Sequence, residues 1–102
     1  MLELRPNCEL CDRDLPPVAT DAMICSYECT FCAECVQTVL RGVCPNCGGG
    51  LVRRPIRPRR SWRDATGLEH DPPGTARRRT RYSSAEIAAL VERLHATPPA
   101  ER

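Results

Sequence analysis

Apolar positions recur with a helical period in only two places along the chain. In "SSAEIAALVERLHA", Ile87, Leu90, Val91 and Leu94 follow an i, i+3, i+4, i+7 stripe. Ser83 and Glu86 stand at capping-box spacing before the stripe, and Pro98 and Pro99 lie beyond it. The pattern predicts an amphipathic helix over 84–96. In "CVQTVLRG", Val36, Val39, Leu40 and Val43 share one helical face, and Gly42 sits where a helix-ending glycine belongs. "AMIC" (22–25) and "LVRR" (51–54) read as short strands. Residues 53–82 keep neither period and carry ten arginines against three acids among scattered prolines and glycines. That composition predicts a disordered or polyproline-like linker. The chain therefore divides into a folded domain (1–56), a basic linker (57–82), an amphipathic helix (83–97) and a short tail (98–102).

Bulky residues are scarce. The only aromatics among 102 residues are Tyr27, Phe31, Trp62 and Tyr82. A chain this short and this poor in large side chains buries too little apolar area to offset its ordering entropy without staples. The staples are the eight cysteines, at 8, 11, 25, 29, 32, 35, 44 and 47. The N-terminal "MLELRPNCEL" has no apolar signal core, and no stretch approaches the roughly 18 apolar residues of a membrane span. A cytoplasmic setting is expected, where clustered thiols bind metal rather than form disulfides.

The formal net charge of +2 hides a polarity. Residues 1–52 hold three arginines against seven acids, a balance of −4, whereas residues 53–102 hold twelve arginines against six acids, a balance of +6. The complete absence of lysine beside fifteen arginines points to a GC-rich genome.

The cysteine spacing is C-x2-C-x13-C-x3-C-x2-C-x2-C-x8-C-x2-C. A Cys-x-x-Cys turn brings two sulfurs to one tetrahedral zinc at about 2.3 Å. In "CPNCGG", Pro45 pre-sets that turn and Gly48 accepts a positive φ after the second ligand; Asp12 holds the equivalent place in "CELCD". Cys29, Cys32 and Cys35 make the pairing ambiguous, because Cys32 has the right spacing to both neighbours. A sequential scheme gives Cys8/Cys11/Cys25/Cys29 and Cys32/Cys35/Cys44/Cys47. An interleaved scheme gives Cys8, Cys11, Cys32 and Cys35 around one Zn²⁺, and Cys25, Cys29, Cys44 and Cys47 around the other. Interleaving lets each ion close a long loop and packs Leu10, Ile24, Phe31, Val36, Val39 and Leu40 between the ions.

Eight ligands in this order, with a helix between the sixth and seventh and Cys-Pro-x-Cys at the end, resemble a RING finger or related treble clef. The resemblance implies a small zinc-stabilised α+β fold, a cross-braced two-zinc module to which the C-terminal helix is appended. "LELRPNCELCDRDLPP", "AMICSYECTFCAECV" and "GVCPNCGGGLVRRPI" further resemble a family of short bacterial cysteine-rich proteins of unknown function, over about residues 1–57. That likeness implies zinc binding and offers no activity. Ubiquitin ligation is disfavoured, because helix 36–41 lacks the usual aromatic contact and Gly48 replaces the basic residue common after the last ligand.

Complete four-thiolate sites have no open position, the structural rather than catalytic pattern. No Ser/His/Asp set or phosphate-cradling loop is left over, so no enzyme and no small-molecule substrate are expected. The expected role is an interaction or regulatory module, with Ile87, Leu90, Val91 and Leu94 as the face that docks another protein, unless that helix folds back to cover the zinc domain. The alternatives are nucleic-acid binding through Arg57, Arg59, Arg60, Trp62, Arg77, Arg78, Arg79 and Arg81, and a zinc buffer or thiol redox sensor. His70 and His95 are not needed as ligands.

Overall fold

A computed structural model describes all 102 residues. Its centre is a three-stranded antiparallel sheet in the order β2-β1-β3, formed by β1 (Ala22–Ile24), β2 (Thr30–Cys32) and β3 (Val52–Arg53). Met23 pairs with Phe31 on one side and with Arg53 on the other. "AMIC" and "LVRR" thus become strands, and the third comes from the middle of the cysteine cluster. Phe31 on β2 is completely buried.

The chain leaves β2 directly into α1 (Ala33–Cys35), which continues as a π-helical turn over Val36–Leu40. Arg41 and Gly42, both at positive φ, end it, and the Gly42 amide donates to the Val36 carbonyl at 3.2 Å. The wider turn changes which side chains face inward. Val36, Leu40 and Val43 are buried, but Val39 is 47% exposed, because a three-residue step in a π turn rotates off the face it would share in an α-helix. Val39 is therefore not a core residue, contrary to the helical pattern.

After β3 comes the short helix α2 (Gly67–His70) and then α3 (Ser84–Leu94). The capping box of α3 is complete: Ser83 Oγ accepts from the Glu86 amide at 3.2 Å, and Glu86 Oε1 accepts from the Ser83 amide at 3.0 Å. A 3₁₀ turn at Pro99–Glu101 closes the chain. No helix is long and apolar enough to cross a membrane.

The division of the C-terminal half is corrected. Of the two roles open to the α3 stripe, the fold-back is the one observed: Ile87 and Val91 are only 3% and 4% exposed and belong to the same core cluster as Phe31, Leu40 and Val43. Leu90 and Leu94 pack half-buried at its margin. The physical reason is the thin core of the first half, whose α1 and π-turn face needs an apolar cover that only α3 supplies. The segment 57–82 is not a detached linker. Gly74 N–H donates to the Leu4 carbonyl at 3.0 Å, Thr80 N–H to the Glu9 carbonyl at 2.9 Å, and Asn7 bonds Arg78 through both its amide atoms. Absence of a period excluded long regular structure correctly, but not an extended strap whose partners lie on another segment.

Candidate metal centre

The first knuckle is set by Asp12, at φ 67°, whose amide donates to the Cys8 carbonyl at 2.9 Å. This turn points the Cys11 amide at Cys8 Sγ, 3.5 Å away. Cys32 ends β2 and Cys35 ends α1, so the direct strand-to-helix step carries both sulfurs to the same place. The Sγ atoms of Cys8, Cys11, Cys32 and Cys35 all lie within 4.8 Å of one another. Cys11 and Cys32 Sγ are 3.8 Å apart. Four sulfurs at about 2.3 Å from one tetrahedral ion stand about 3.8 Å from each other, so the Cys11–Cys32 pair already has that separation, and the 4.8 Å bound leaves all four close enough to share one ion.

The second cluster is built from the other two pairs. A turn at 25–29, with Glu28 at φ 68°, directs the Tyr27 amide to Cys25 Sγ at 3.3 Å. Gly48, at φ 78°, closes the "CPNC" knuckle, and the Gly49 amide lies 3.4 Å from Cys47 Sγ. Cys25, Cys44 and Cys47 bring their sulfurs within 4.8 Å of one another. Cys29 lies outside that set of mutual distances. It is buried beside it, and the Cys25 amide donates to the Cys29 carbonyl at 3.2 Å. All eight cysteines are free thiols.

Burial pushes the Cys29, Cys32, Cys35 and Cys44 thiols above the usual range, and in all four the negative charge of neighbouring cysteines adds to it. Cys8 is the exception. Burial raises it too, but the amides of Cys11, Cys32 and Leu10 outweigh burial and bring it below the ordinary thiol value. Crowded, buried thiols of this kind lose their protons together only when a cation supplies the compensating charge. The donor set therefore fits two metal ions, one in each cluster.

A polar bridge that the cysteine code does not display ties the clusters together. Glu9, inside the first knuckle, is buried; its Oε2 accepts from Arg5 Nη1 at 3.0 Å and from the Thr30 amide at 2.6 Å. Its Oε1 accepts from Nδ2 of Asn46, inside the second knuckle, at 3.1 Å. Thr80 Oγ1, on the basic strap, donates to Asn46 Oδ1 at 2.8 Å. Burial opposes the charge on Arg5, but its bonds to Glu3 and Glu9 outweigh it and hold the guanidinium more firmly protonated than usual. Arg54 is buried as well, and its guanidinium bonds the carbonyls of Arg5, Leu15 and Pro16 at 2.8–3.1 Å. A signal for Glu9 was present: an acid between two anionic ligands needs a cation, and Arg5 stands four residues before it.

The arginines named for nucleic acid separate into two groups. Arg57 bonds the carbonyls of Asp71 and Leu2 at 2.9 and 2.8 Å. Arg77 pairs with Asp12 and Asp14, Arg78 with Glu3, and Arg79 with Asp12 and the Leu10 carbonyl. Arg81 stacks on Tyr82, 5.0 Å from the ring centre. By contrast, Arg59, Arg60 and Trp62 are exposed, and neither arginine has an acidic partner.

Residues 1–57 match the family described as "Protein of unknown function (DUF1272)". The chain belongs to the DUF1272 family. An uncharacterized protein of Rhizobium meliloti (strain 1021) is 64% identical over 77 residues, covering 76% of this chain and 84% of the relative. No solved structure matches the chain. The DUF1272 region contains all eight cysteines, Glu9, Asn46 and Arg54, and stops before the strap and α3.

Proposed function

We propose that this DUF1272 protein is a non-enzymatic interaction module whose binding surface is held in shape by two structural zinc ions. The observation that carries the reading is the gathering of cysteines far apart in sequence: 8 and 11 with 32 and 35, and 25 with 44 and 47. Cys29, beside Cys25, is the fourth ligand of the second ion. Each zinc then has four protein thiolates and no position for substrate or water, the arrangement of a structural site. The interleaved order is that of a cross-braced, RING-like or treble-clef module. Its two knuckles are joined through Glu9 and Asn46, so loading of one site favours loading of the other.

Metal analysis of the purified chain tests this directly, with about two zinc ions expected per molecule. Cobalt substitution should give the strong thiolate-to-metal absorption of tetrahedral four-sulfur sites. Cys8→Ser and Cys44→Ser should each impair one ion most strongly. Chelation at neutral pH should unfold the protein, since metal binding supplies most of its folding free energy. A chain that keeps its fold after complete metal removal would overturn the reading.

A further inference from the structure

Between Arg57 and Asp71 the strap makes a closed loop braced by its own hydrogen bonds and by one tie at its base. The Leu68 amide donates to the Pro58 carbonyl at 2.8 Å and so fixes the base. Ser61 Oγ donates to the Thr66 carbonyl, Thr66 Oγ1 to the Arg63 carbonyl at 2.6 Å, and the Ser61 amide to Glu69 at 3.4 Å. Arg57 ties the base to the Leu2 carbonyl at 2.8 Å. Gly67 is at φ 77°, and a Cβ there would lie 2.5 Å from the Arg60 carbonyl oxygen, so only glycine fits.

What this closed loop holds out is the chain's one tryptophan. Trp62 is 73% exposed. Arg59, Arg60 and Arg63 surround it in sequence, all exposed and none paired with a carboxylate, whereas Arg77, Arg78 and Arg79 on the same strap are paired with acids of the first half. The acids of the loop are Asp64 and Glu69, and neither pairs with Arg59, Arg60 or Arg63. One exposed indole flanked by three guanidiniums without a carboxylate partner, Arg63 also donating to the Trp62 carbonyl at 3.0 Å, suits a ligand that offers a flat π face and a phosphate in the same repeating unit.

We propose that loop 58–69 binds single-stranded nucleic acid, with a base stacked on Trp62 and the flanking phosphates held by Arg59, Arg60 and Arg63. The proposal names a partner class for the interaction module inferred above, and rests on that reading. A duplex hides its base faces, and this loop has no helix to enter a groove. A membrane surface would ask for further apolar residues at the tip, where Ala65 is the only other one. An acidic peptide would satisfy the arginines and leave the indole without a stacking partner.

Trp62 is its own reporter, because no other tryptophan contributes fluorescence. The full zinc-loaded chain is titrated with 12-nucleotide oligo(dT) and oligo(U), a 12-base-pair duplex, phosphatidylserine vesicles and poly-glutamate. Single strands of either sugar should quench Trp62, and binding should fall with salt at a log–log slope of about −2, from three phosphate contacts at about 0.7 each. Labelled-oligonucleotide anisotropy should show Trp62→Ala weakening binding about 5- to 150-fold, the range of one base–aromatic stack. Trp62→Phe should recover part of the loss. Arg59→Ala with Arg60→Ala should reduce the slope by about 1.4. No quenching by single strands at low salt, equal binding by Trp62→Ala, or preferential quenching by duplex, vesicles or poly-glutamate would each overturn the proposal. Zinc content is measured on every sample: two ions with no oligonucleotide binding refutes the loop alone, whereas absent zinc refutes the module reading itself.

Discussion

Replacing Ile87 and Val91 by alanine tests whether α3 is part of the core. Both side chains are at least 96% buried, and they join the cluster that contains Phe31, Val36, Leu40 and Val43. Alanine keeps the helical propensity high, so the measured loss reports packing rather than helix formation. Truncating a buried isoleucine costs about 2–5 kcal/mol, and valine about 1–3 kcal/mol by its smaller volume. The two positions are four apart on one helix face and line one interface, so their effects will not simply add; about 3–6 kcal/mol is expected for the pair. Against a total of about 5–15 kcal/mol for a domain of this kind, that is a large fraction.

The assay is urea denaturation of zinc-loaded protein, followed by far-ultraviolet circular dichroism and by release of zinc to a chromogenic chelator. Both signals should move to lower urea together, because α3 covers the turn that follows Cys35. Glu92→Ala, on the exposed side of the same helix, is the control and should leave both unchanged. If the double alanine variant unfolds and releases zinc at the wild-type urea concentration, α3 is not part of the core. The metal domain would then stand alone.

Phe31→Ala should cost about 3–5 kcal/mol, since that ring is fully buried between the cysteine clusters, and the loss should be read by the same urea titration. Glu9→Leu leaves Arg5 buried without one carboxylate and Asn46 without its acceptor, so it should cost about 3–5 kcal/mol and speed zinc release from both sites. Zinc release at the wild-type rate would remove the bridge from the account. Gly67→Ala cannot keep its φ of 77° without a clash at the Arg60 carbonyl. It should raise amide hydrogen exchange across 58–69 while leaving exchange at the cysteine knuckles as it was.

How far the residues themselves disclosed this structure depends on the range of the interaction concerned. Each knuckle is local: Cys-x-x-Cys with Gly48 or Asp12 after it contains its own turn, so the metal-ligating character of the thiols was readable. Which knuckle joins which was not, because Cys29–Cys32 and Cys32–Cys35 have the same spacing. The choice lies in the strand-to-helix step that carries Cys32 and Cys35 away from Cys29. Likewise the stripe of α3 announced burial without naming its cover, and nothing in "VQTVL" announced the π turn that expels Val39.

The strap was the least legible part, since its bonds are single and distant. Arg77 reaches Asp12 and Asp14, 65 and 63 residues away, and Arg78 reaches Asn7 across 71. Yet the reason it docks was already visible in the charge polarity. The acids that make residues 1–52 negative include Asp12 and Asp14, which meet Arg77, and Glu3, which meets Arg78. Two zinc tetrathiolates, each with a net charge of −2, would make that half more anionic still. On this account the arginines at 77–79 answer the charge of the metal domain. Arg59, Arg60 and Arg63, which answer none of it, are left for a charge from outside the chain.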